Sequence, residues 1–598
     1  MAQELPKRSE VKVEDTWKLE DMYADKAAWE AAIEKMKGIF REVAKYEGKV
    51  GASAENLFAV CELEAQGEEL LDLVYNYAER LHDQDTANTE HQAMVAKVMS
   101  VYSEIAGQTA FTSPEMIAID EEVLEGFYQK VPGLELYRHQ LEETRRMKEH
   151  TLSAEMEKLV ALTQEMSQTS SNTRGMLDNA DITFPEVKDE KGETVRLSHG
   201  RFIPMLESAD RRVREDAFKA YYSSYKSLLN TYASLYDGQV KQQIFYAKAR
   251  HYDSTLEAAV DANHVSPQVY KNLIETVDKN LNQLHRYVRL RKRCLGLDEL
   301  HMYDVYTPIV ADAARTYTFE EAKEICLKAL APMGEEYVSR IKEGFDNRWI
   351  DVYENQGKRS GAYSAGAYGT HPYVLMNYNG SLDNVFTLIH EMGHSLHSYY
   401  SNENQPFIYS QYKIFVAEVA STCNEVLLLE YLLKNTTDAN ERKYLLNHYM
   451  DMFKGTLFRQ TQFAEYEMRT NAMVEAGESL NAENLSQLYL EINKKYYGED
   501  MISDEEISYE WARIPHFYYD FYVYQYATSF SAAVAIAHDI LREGAPMVER
   551  YKKFLSSGCS AAPVELMKRV GVNMESGEYV QAAIDVMAEV LDEMEKSF

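Results

Sequence analysis

The sequence contains few of the residues that break helices or cross-link a fold covalently. Its five cysteines are widely spaced, odd in number and form no CxxC pair, which argues against a disulfide framework and against a thiolate metal site. Proline occurs 13 times and glycine 27 times in 598 residues, and no proline lies between Pro406 and Pro515. Sparse proline favours long helices over many short strands. We therefore predict a mainly α protein.

The sequence also lacks a surplus of basic residues and long apolar runs. It has 63 Lys and Arg against 96 Asp and Glu, a net charge of -33, which argues against nucleic acid and against an anionic membrane surface as partners. No run of about 18 apolar residues occurs, and the N-terminal segment has no apolar core of a signal peptide. We expect a cytoplasmic protein with an acidic, solvated exterior.

The helical pattern is interrupted by one clear hairpin signal, near residues 182–197. Before it, apolar residues recur at helical spacing in four segments: 27–45, 54–82, 89–107 and 153–173. The hairpin segment alternates apolar and polar residues around a polar turn. A chain of this length exceeds one ordinary core. We predict an N-terminal helical domain over 1–205, interpreted as a packing module, and a second domain over 206–598.

A glycine-rich, non-helical segment covers residues 357–381. It ends in a predicted short strand over 373–378, and Pro372 at its start favours an edge position in a sheet. An edge strand can pair with an extended peptide. Tyr373, Leu375 and Asn377 are therefore candidate substrate-binding residues, the alternative being a plain connector between helices.

The segment HEMGHSLH, residues 390–397, has the spacing of a metal site. Residues four apart share a helix face, so His390 and His394 can bind one ion, while Glu391 flanks it and can act as a base. His397 comes three residues after the second histidine and is interpreted as a pocket or core residue. So short a motif also arises by chance. A third ligand elsewhere in the sequence is therefore needed to distinguish a zinc site from an ordinary helix.

The helix predicted over 413–433 offers that third ligand. It is apolar, yet it carries Glu418 and Glu425 two turns apart on one face. Buried carboxylates need partners. We predict Glu418 as the third ligand of one zinc ion per chain and Glu425 as the acceptor that orients a ligand histidine. The alternative is that both carboxylates pair with Lys or Arg.

Four segments in order resemble the M3 family of zinc metallopeptidases, in its oligoendopeptidase F group: GKRSGAYS with PYVLMNY, then FTLIHEMGHSLHSYYS, FVAEVASTCNE and RIPHFYYDFYVYQYAT. The resemblance implies the same ligands and base, His390, His394, Glu418 and Glu391. It also implies an N-terminal domain of the oligopeptidase F type and a helical, prolate, two-lobed body. That body would have a deep substrate channel and a small sheet beside the zinc. One departure is Ser529, where the family pattern has glycine.

The family hydrolyses internal bonds of short, unstructured peptides, and the resemblance places a His and a Tyr donor for the oxyanion in the fourth segment. His516, Tyr519, Tyr522 and Tyr526 lie near one face at helical spacing, although tyrosine stripes are more often core. We predict His516 and Tyr522 as catalytic, with Tyr519 and Tyr526 contacting substrate. Which of the three tyrosines is the donor stays open.

Two other functions compete with an endopeptidase. A zinc exopeptidase, of the aminopeptidase or carboxypeptidase type, has the same metal chemistry, although the GxMEN motif of one large aminopeptidase family is absent. A non-catalytic peptide-binding protein would have no need of Glu391 as a base. The sequence leaves open the cleavage preference, the oligomeric state and the resting closure of the channel.

Overall fold

Helices make up most of the chain, as predicted. The computed structural model describes residues 4–310 and 315–598. In the first half the helices are α1 Lys26–Val43, α2 Ala54–Gln84, α3 Thr89–Thr109, α4 Thr112–Ala118, α5 Glu121–Lys130, α6 Arg138–Arg146, α7 Ala154–Ser167, α8 Thr169–Met176, α9 His199–Leu206, α10 Arg211–Ala249, α11 Thr255–Asp261, α12 Pro267–Lys279 and α13 Leu281–Cys294.

The second half continues in the same way. Its helices are α14 Phe319–Ala329, α15 Glu335–Asp346, α16 Leu382–Asn404, α17 Phe407–Ser410, α18 Ile414–Asn435, α19 Ala439–Met452, α20 Arg459–Glu475, α21 Ala482–Tyr497, α22 Glu510–Arg513, α23 Tyr524–Glu543, α24 Ala545–Leu555, α25 Pro563–Arg569 and α26 Glu578–Ser597. None of the described helices combines the length and apolarity needed to cross a bilayer.

The strands are short and pair in small sheets. They are β1 Glu186–Lys188, β2 Thr194–Arg196, β3 Leu300–His301, β4 Ile350–Asp351, β5 Tyr363–Ala365, β6 Tyr373–Leu375 and β7 Met501–Ile502. β1 and β2 are antiparallel with Val187 opposite Val195, so the predicted hairpin is confirmed with shorter strands. β3 pairs with β7 in parallel, and β4, β6 and β5 form one sheet in that order.

The chain folds into two compact units, each built from separate segments. The first comprises Met1–Glu149, Arg315–Tyr431 and Ile536–Gly571, and the second His150–Ala314, Leu432–Ala535 and Val572–Phe598. Each unit combines three separate segments, so neither corresponds to one continuous stretch of the sequence. The predicted division into 1–205 and 206–598 therefore stays a prediction.

In the first unit, the N-terminal helices and the three-stranded sheet share one core. The indole N–H of Trp29 in α1 donates to the carbonyl of Val74 in α2 at 2.9 Å, in the buried interior of this helical pair. The same core contains Tyr373 and Leu375 of β6. Apolar burial of this kind is the main favourable term in folding. The first helices of the chain thus pack in one core with the sheet, whereas α7 and α8 belong to the second unit.

The prediction that the strand after Pro372 lies at an edge is wrong. β6 is the central strand, parallel to β4 and antiparallel to β5. Pro372 precedes the first paired residue, so its missing N–H costs no ladder bond, and the N–H of Val374 donates to the carbonyl of Trp349 at 2.8 Å. The strand beside the motif helix is β5, whose Ser364 hydroxyl lies 2.8 Å from that of Ser395. A small sheet beside the motif helix is confirmed.

Candidate active site

The motif HEMGHSLH lies in the middle of α16, a long helix in the first unit. Ser381 caps its start by accepting the N–H of Asn384. The apolar residues before the motif are buried, which fixes the rotation of the helix in the core. His390 and His394 share the remaining face, and their ring centroids lie 4.9 Å apart.

A glycine lets the second helix of the site approach the first. A Cβ added to Gly393 would lie 2.6 Å from the Cα of Ser421 and 2.7 Å from the carbonyl oxygen of Ala420, both in α18. Such distances exclude any side chain at this position, so the two helix backbones touch here. The contact brings Glu418, one turn before Ser421, to the histidines. This role of Gly393, the residue directly before His394, was not predicted from the sequence.

Three side-chain atoms come together with the spacing of metal ligands. Oε2 of Glu418 lies 3.5 Å from Nε2 of His390 and 3.4 Å from Nε2 of His394. Tetrahedral zinc with bonds of about 2.0–2.1 Å holds its ligand atoms roughly 3.3–3.4 Å apart. The three residues form a candidate metal-binding group with all ligand atoms within 4.8 Å of one another. The donor set therefore fits a zinc ion.

Glu425 orients one of the two imidazoles. Its Oε1 lies 3.3 Å from Nδ1 of His390, so Nδ1–H can donate to the carboxylate while Nε2 keeps its lone pair for a metal. The hydroxyl of Ser421 donates to Oε2 of Glu418 at 2.9 Å. In the described parts of the chain, the ion pairs of Glu418 and Glu425 are with histidines, which disfavours the alternative of Lys or Arg partners.

The electrostatics of the group also suit a cation. Burial opposes the charge on His390, but the hydrogen bond to Glu425 and the charges of Glu391 and Glu418 outweigh it and raise the His390 pKa to about 9. Burial alone would raise the pKa of Glu418, yet the interactions with His394 and His390 lower it to about 2. The carboxylates of Glu391, Glu418 and Glu425 thus favour a positive charge at the two imidazoles.

Glu391 has the surroundings of a base. It is buried, its Oε2 has no hydrogen-bond partner among the described residues, and burial raises its pKa. A carboxylate of this kind, next to a metal ligand in the chain, has a free oxygen for a proton from a reacting group. The role of Glu391 as the base stays a prediction.

His397 is a core residue, as interpreted from the sequence. Its side chain is 1% exposed and stacks on Tyr412, with ring centroids 3.6 Å apart. Burial lowers the pKa of His397 to about 3, so the ring is neutral at physiological pH.

The aromatic segment of the second unit is not the continuous helix that the sequence predicts. His516 lies in a short 3-10 helix, Pro515–Tyr518, and α23 begins only at Tyr524. Between them Asp520 and Phe521 have φ of 50° and 57°, a left-handed conformation that ends the first helix. Ser529, the departure from the family pattern, lies inside α23 and is buried.

The four predicted aromatic residues nevertheless cluster. The His516 ring lies 5.5 Å from Tyr519, 6.4 Å from Tyr522 and 6.3 Å from Tyr526, and the last two rings are 5.4 Å apart. Burial and then the charge of Arg174 lower the pKa of His516, which favours the neutral imidazole with one N–H donor. These residues belong to the second unit and the metal group to the first. Their predicted catalytic and substrate-binding roles stay predictions.

Comparison with known proteins identifies the family. The model of peptidase family M3 matches residues 204–586, and the model described as oligopeptidase F matches residues 115–184. The chain belongs to peptidase family M3. It is therefore a metallopeptidase, and the resemblance seen in the four sequence segments is confirmed.

Relatives of this M3 peptidase match over its full length. The oligopeptidase PepF of Bacillus subtilis is 49% identical over 100% of this chain and 89% of its own. A crystal structure of oligoendopeptidase-F from Enterococcus faecium is 39% identical, covers 95% of this chain and 98% of its own, and has a TM-score of 0.75. A Chlamydophila abortus protein, described provisionally as a peptidase, is 35% identical over 100% of both chains, with a TM-score of 0.93.

Proposed function

We propose that this M3 peptidase is a zinc-dependent endopeptidase that hydrolyses internal bonds of short, unstructured peptides. The observation that carries the proposal is the convergence of His390, His394 and Glu418 at zinc-ligand spacing, with the free carboxylate of Glu391 beside them. The names of the relatives, oligopeptidase and oligoendopeptidase, support peptides as substrates. A cytoplasmic location, one zinc per chain and a substrate channel belong to the same proposal.

A bound zinc ion and the side chains around it would have separate roles in the reaction. An ion held by His390, His394 and Glu418 would supply Lewis acidity, which lowers the pKa of water and polarises a carbonyl. Glu425 keeps the His390 ring in the orientation that presents Nε2.

Glu391 moves the protons of the reaction. Its free Oε2 takes a proton from the attacking water and then passes this proton to the nitrogen of the leaving amine. Because burial raises its pKa, the carboxylate is a stronger base than an exposed glutamate, and the acid form it becomes is stable enough to exist between the two transfers.

The developing oxyanion needs hydrogen-bond donors, and His516 and Tyr522 are the proposed ones. Support comes from the family resemblance and from the ring cluster that holds the two side chains together with Tyr519 and Tyr526. In this proposal Tyr519, whose side chain is 53% exposed, and Tyr526 contact the substrate.

The proposed peptide-binding edge is β5 and not β6. Tyr373 and Leu375 have no exposed surface, and the side-chain amide of Asn377 donates to the carbonyls of Arg359 and Gly361, just before β5. Tyr373, Leu375 and Asn377 therefore hold β5 in place from the neighbouring strand and the segment after it. β5 is the outer strand of the described sheet, and an extended peptide can add to it by backbone pairing.

Peptides blocked at both ends separate this function from its alternatives. We expect cleavage of doubly blocked, internally quenched peptides, with loss of cleavage in a chelator and recovery on adding zinc. A strict exopeptidase requires a free terminus and would leave them intact, and a binding protein would hold them without cleavage. Intact blocked peptides in the presence of zinc-loaded protein would therefore contradict the proposal.

A further inference from the structure

Two successive residues in the aromatic segment have a backbone conformation that side chains disfavour. Asp520 and Phe521, neither of them glycine, have φ of 50° and 57°. A bulky aromatic residue is uncommon in this region and persists where its surroundings enforce it. The turn over residues 519–523 therefore depends on contacts from outside itself.

Glu467 of α20, in the same unit, provides the contact at Phe521. Its Oε1 accepts the backbone N–H of Phe521 at 2.8 Å, and its side chain has no exposed surface. The adjacent Asp520 accepts side-chain hydrogen bonds from Gln243 and Gln239 of α10. The Phe521 ring is buried edge-on against Tyr270, with centroids 5.6 Å apart. Two neighbouring helices thus hold consecutive residues of the turn.

Among the residues that the structure describes, no cation pairs with the buried carboxyl group of Glu467. On the same helix Glu465 pairs with Lys495 at 2.8 Å, the ordinary solution for a buried carboxylate. For Glu467, the structure gives no ion pair among the described residues, and its Oε2 has no hydrogen-bond partner there.

The hydroxyls of two neighbouring tyrosines have other hydrogen-bond partners. The Tyr236 hydroxyl shares a hydrogen bond with the Thr470 hydroxyl, and the Tyr270 hydroxyl donates to the carbonyl of Ala464. Burial raises the pKa of Glu467 to about 8, so near neutral pH the neutral acid accepts the Phe521 N–H.

The residue after Phe521 is Tyr522, the proposed oxyanion donor. A change in the backbone of Phe521 would therefore move the Tyr522 ring directly, together with its contacts to His516 and Tyr526. We propose that Glu467 is a positioning residue, which fixes the 519–523 turn and thereby aims Tyr522 and His516 at the substrate. This inference rests on the proposed function, because it needs Tyr522 to act in the reaction.

Two replacements of Glu467 separate the hydrogen bond from the volume of the side chain. Glu467→Gln keeps an acceptor oxygen for the Phe521 N–H, whereas Glu467→Met keeps the length and loses the acceptor. Since misplacement by about 1 Å can cost about 100-fold in rate, we expect kcat of Glu467→Met to fall about 10- to 100-fold, with KM changed less than about threefold. Glu467→Gln should stay within about threefold of the parent kcat.

Gln462→Met is the matched control. Gln462 is buried on the same helix and donates to Asn493 instead of the turn, so its replacement should lower the Tm without lowering kcat. Glu467→Asp, which withdraws the carboxyl by one methylene, replaces the Met variant if that protein does not fold, and its kcat should fall at least about fivefold. A kcat loss no larger than that of the control, or an equal loss in Glu467→Gln, would overturn the inference.

Tyr522→Phe distinguishes a failure of the positioning role of Glu467 from a failure of Tyr522 as the oxyanion donor. If Tyr522→Phe slows turnover and adding Glu467→Met slows it little further, both residues act in one step and the inference stands. If Tyr522→Phe slows turnover and Glu467→Met does not, the positioning role alone is wrong. If Tyr522→Phe leaves kcat unchanged, the proposed donor is wrong and the positioning role is overturned with it.

Discussion

Replacing Gly393 by alanine tests whether the contact between α16 and α18 builds the metal site. The added Cβ would lie 2.6 Å from the Cα of Ser421, 2.7 Å from the carbonyl oxygen of Ala420 and 2.9 Å from the backbone nitrogen of Ser421. All three are backbone atoms, so no side-chain rotation relieves the overlap. The helices have to separate by about 1 Å to restore an ordinary contact.

The size of the effect follows from the position of Glu418. Overpacking of this kind typically costs about 1–3 kcal/mol, partly offset by the roughly 0.5–1 kcal/mol that alanine gains over glycine within a helix. A displacement of α18 by about 1 Å would stretch the Glu418 contacts beyond the 3.4 and 3.5 Å seen here. Because loss of a group that only orients a ligand weakens metal binding 10- to 100-fold, we expect a displaced ligand to weaken zinc binding by about 100-fold or more.

Zinc affinity is measured by competition with a chelator of known affinity, together with the Tm of the metal-free and zinc-loaded forms. Gly38→Ala in α1 is the control, because its added Cβ meets nothing within 4 Å and should leave zinc affinity unchanged. We expect the rise in Tm that zinc produces to shrink in Gly393→Ala. A variant with parental zinc affinity and a lowered Tm would show that the contact stabilises the fold without placing the ligand.

Three further variants test the parts of the site separately. Glu425→Ala should weaken zinc binding about 10- to 100-fold while leaving the three ligands in place, and unchanged affinity in the chelator assay would remove its orienting role. Tyr522→Phe should lower kcat about 10²- to 10³-fold with little change in KM or Tm; the same loss in Tyr519→Phe instead would move the role to that residue. Burial raises the pKa of Glu467 to about 8 in the folded chain, against about 4.5 in the unfolded chain. Between these pH values the folded chain binds more protons than the unfolded one, so the free energy of unfolding falls as the pH rises. Glu467→Gln, which resembles the neutral acid, should gain stability relative to the parent between pH 5 and pH 8 in denaturant titrations, and a constant difference would contradict the raised pKa.

The residues of the metal group could be predicted from the sequence because each pair is recognised by its spacing within one helix. His390 and His394 are one helical turn apart and Glu418 and Glu425 two turns apart, so periodicity alone puts each pair on one face. The closeness of the two helices could not be predicted in this way, because whether Gly393 faces solvent or another backbone depends on the packing partner.

Features that depend on distant segments were the ones predicted wrongly. Pro372 favours an edge position for β6, and the partner strand β4, of only two residues, has no recognisable pattern of its own that would indicate pairing on that side. At the turn, Asp520 is of a residue type that tolerates the left-handed conformation, but Phe521 is not. The backbone N–H of Phe521 donates to Glu467, some fifty residues earlier, and this contact leaves no mark in the local pattern, which therefore indicates one helix.

The measurement that tests the central claim most directly is the zinc content and turnover of Glu391→Gln. An amide cannot accept the proton of the attacking water, whereas the three ligands, His390, His394 and Glu418, are untouched. We predict one zinc per chain, as in the parent, and hydrolysis of a doubly blocked, internally quenched peptide reduced about 10²- to 10⁴-fold. Substantial turnover by the zinc-loaded variant would contradict Glu391 as the base, and loss of the zinc would contradict the separation of base and ligands on which the account rests.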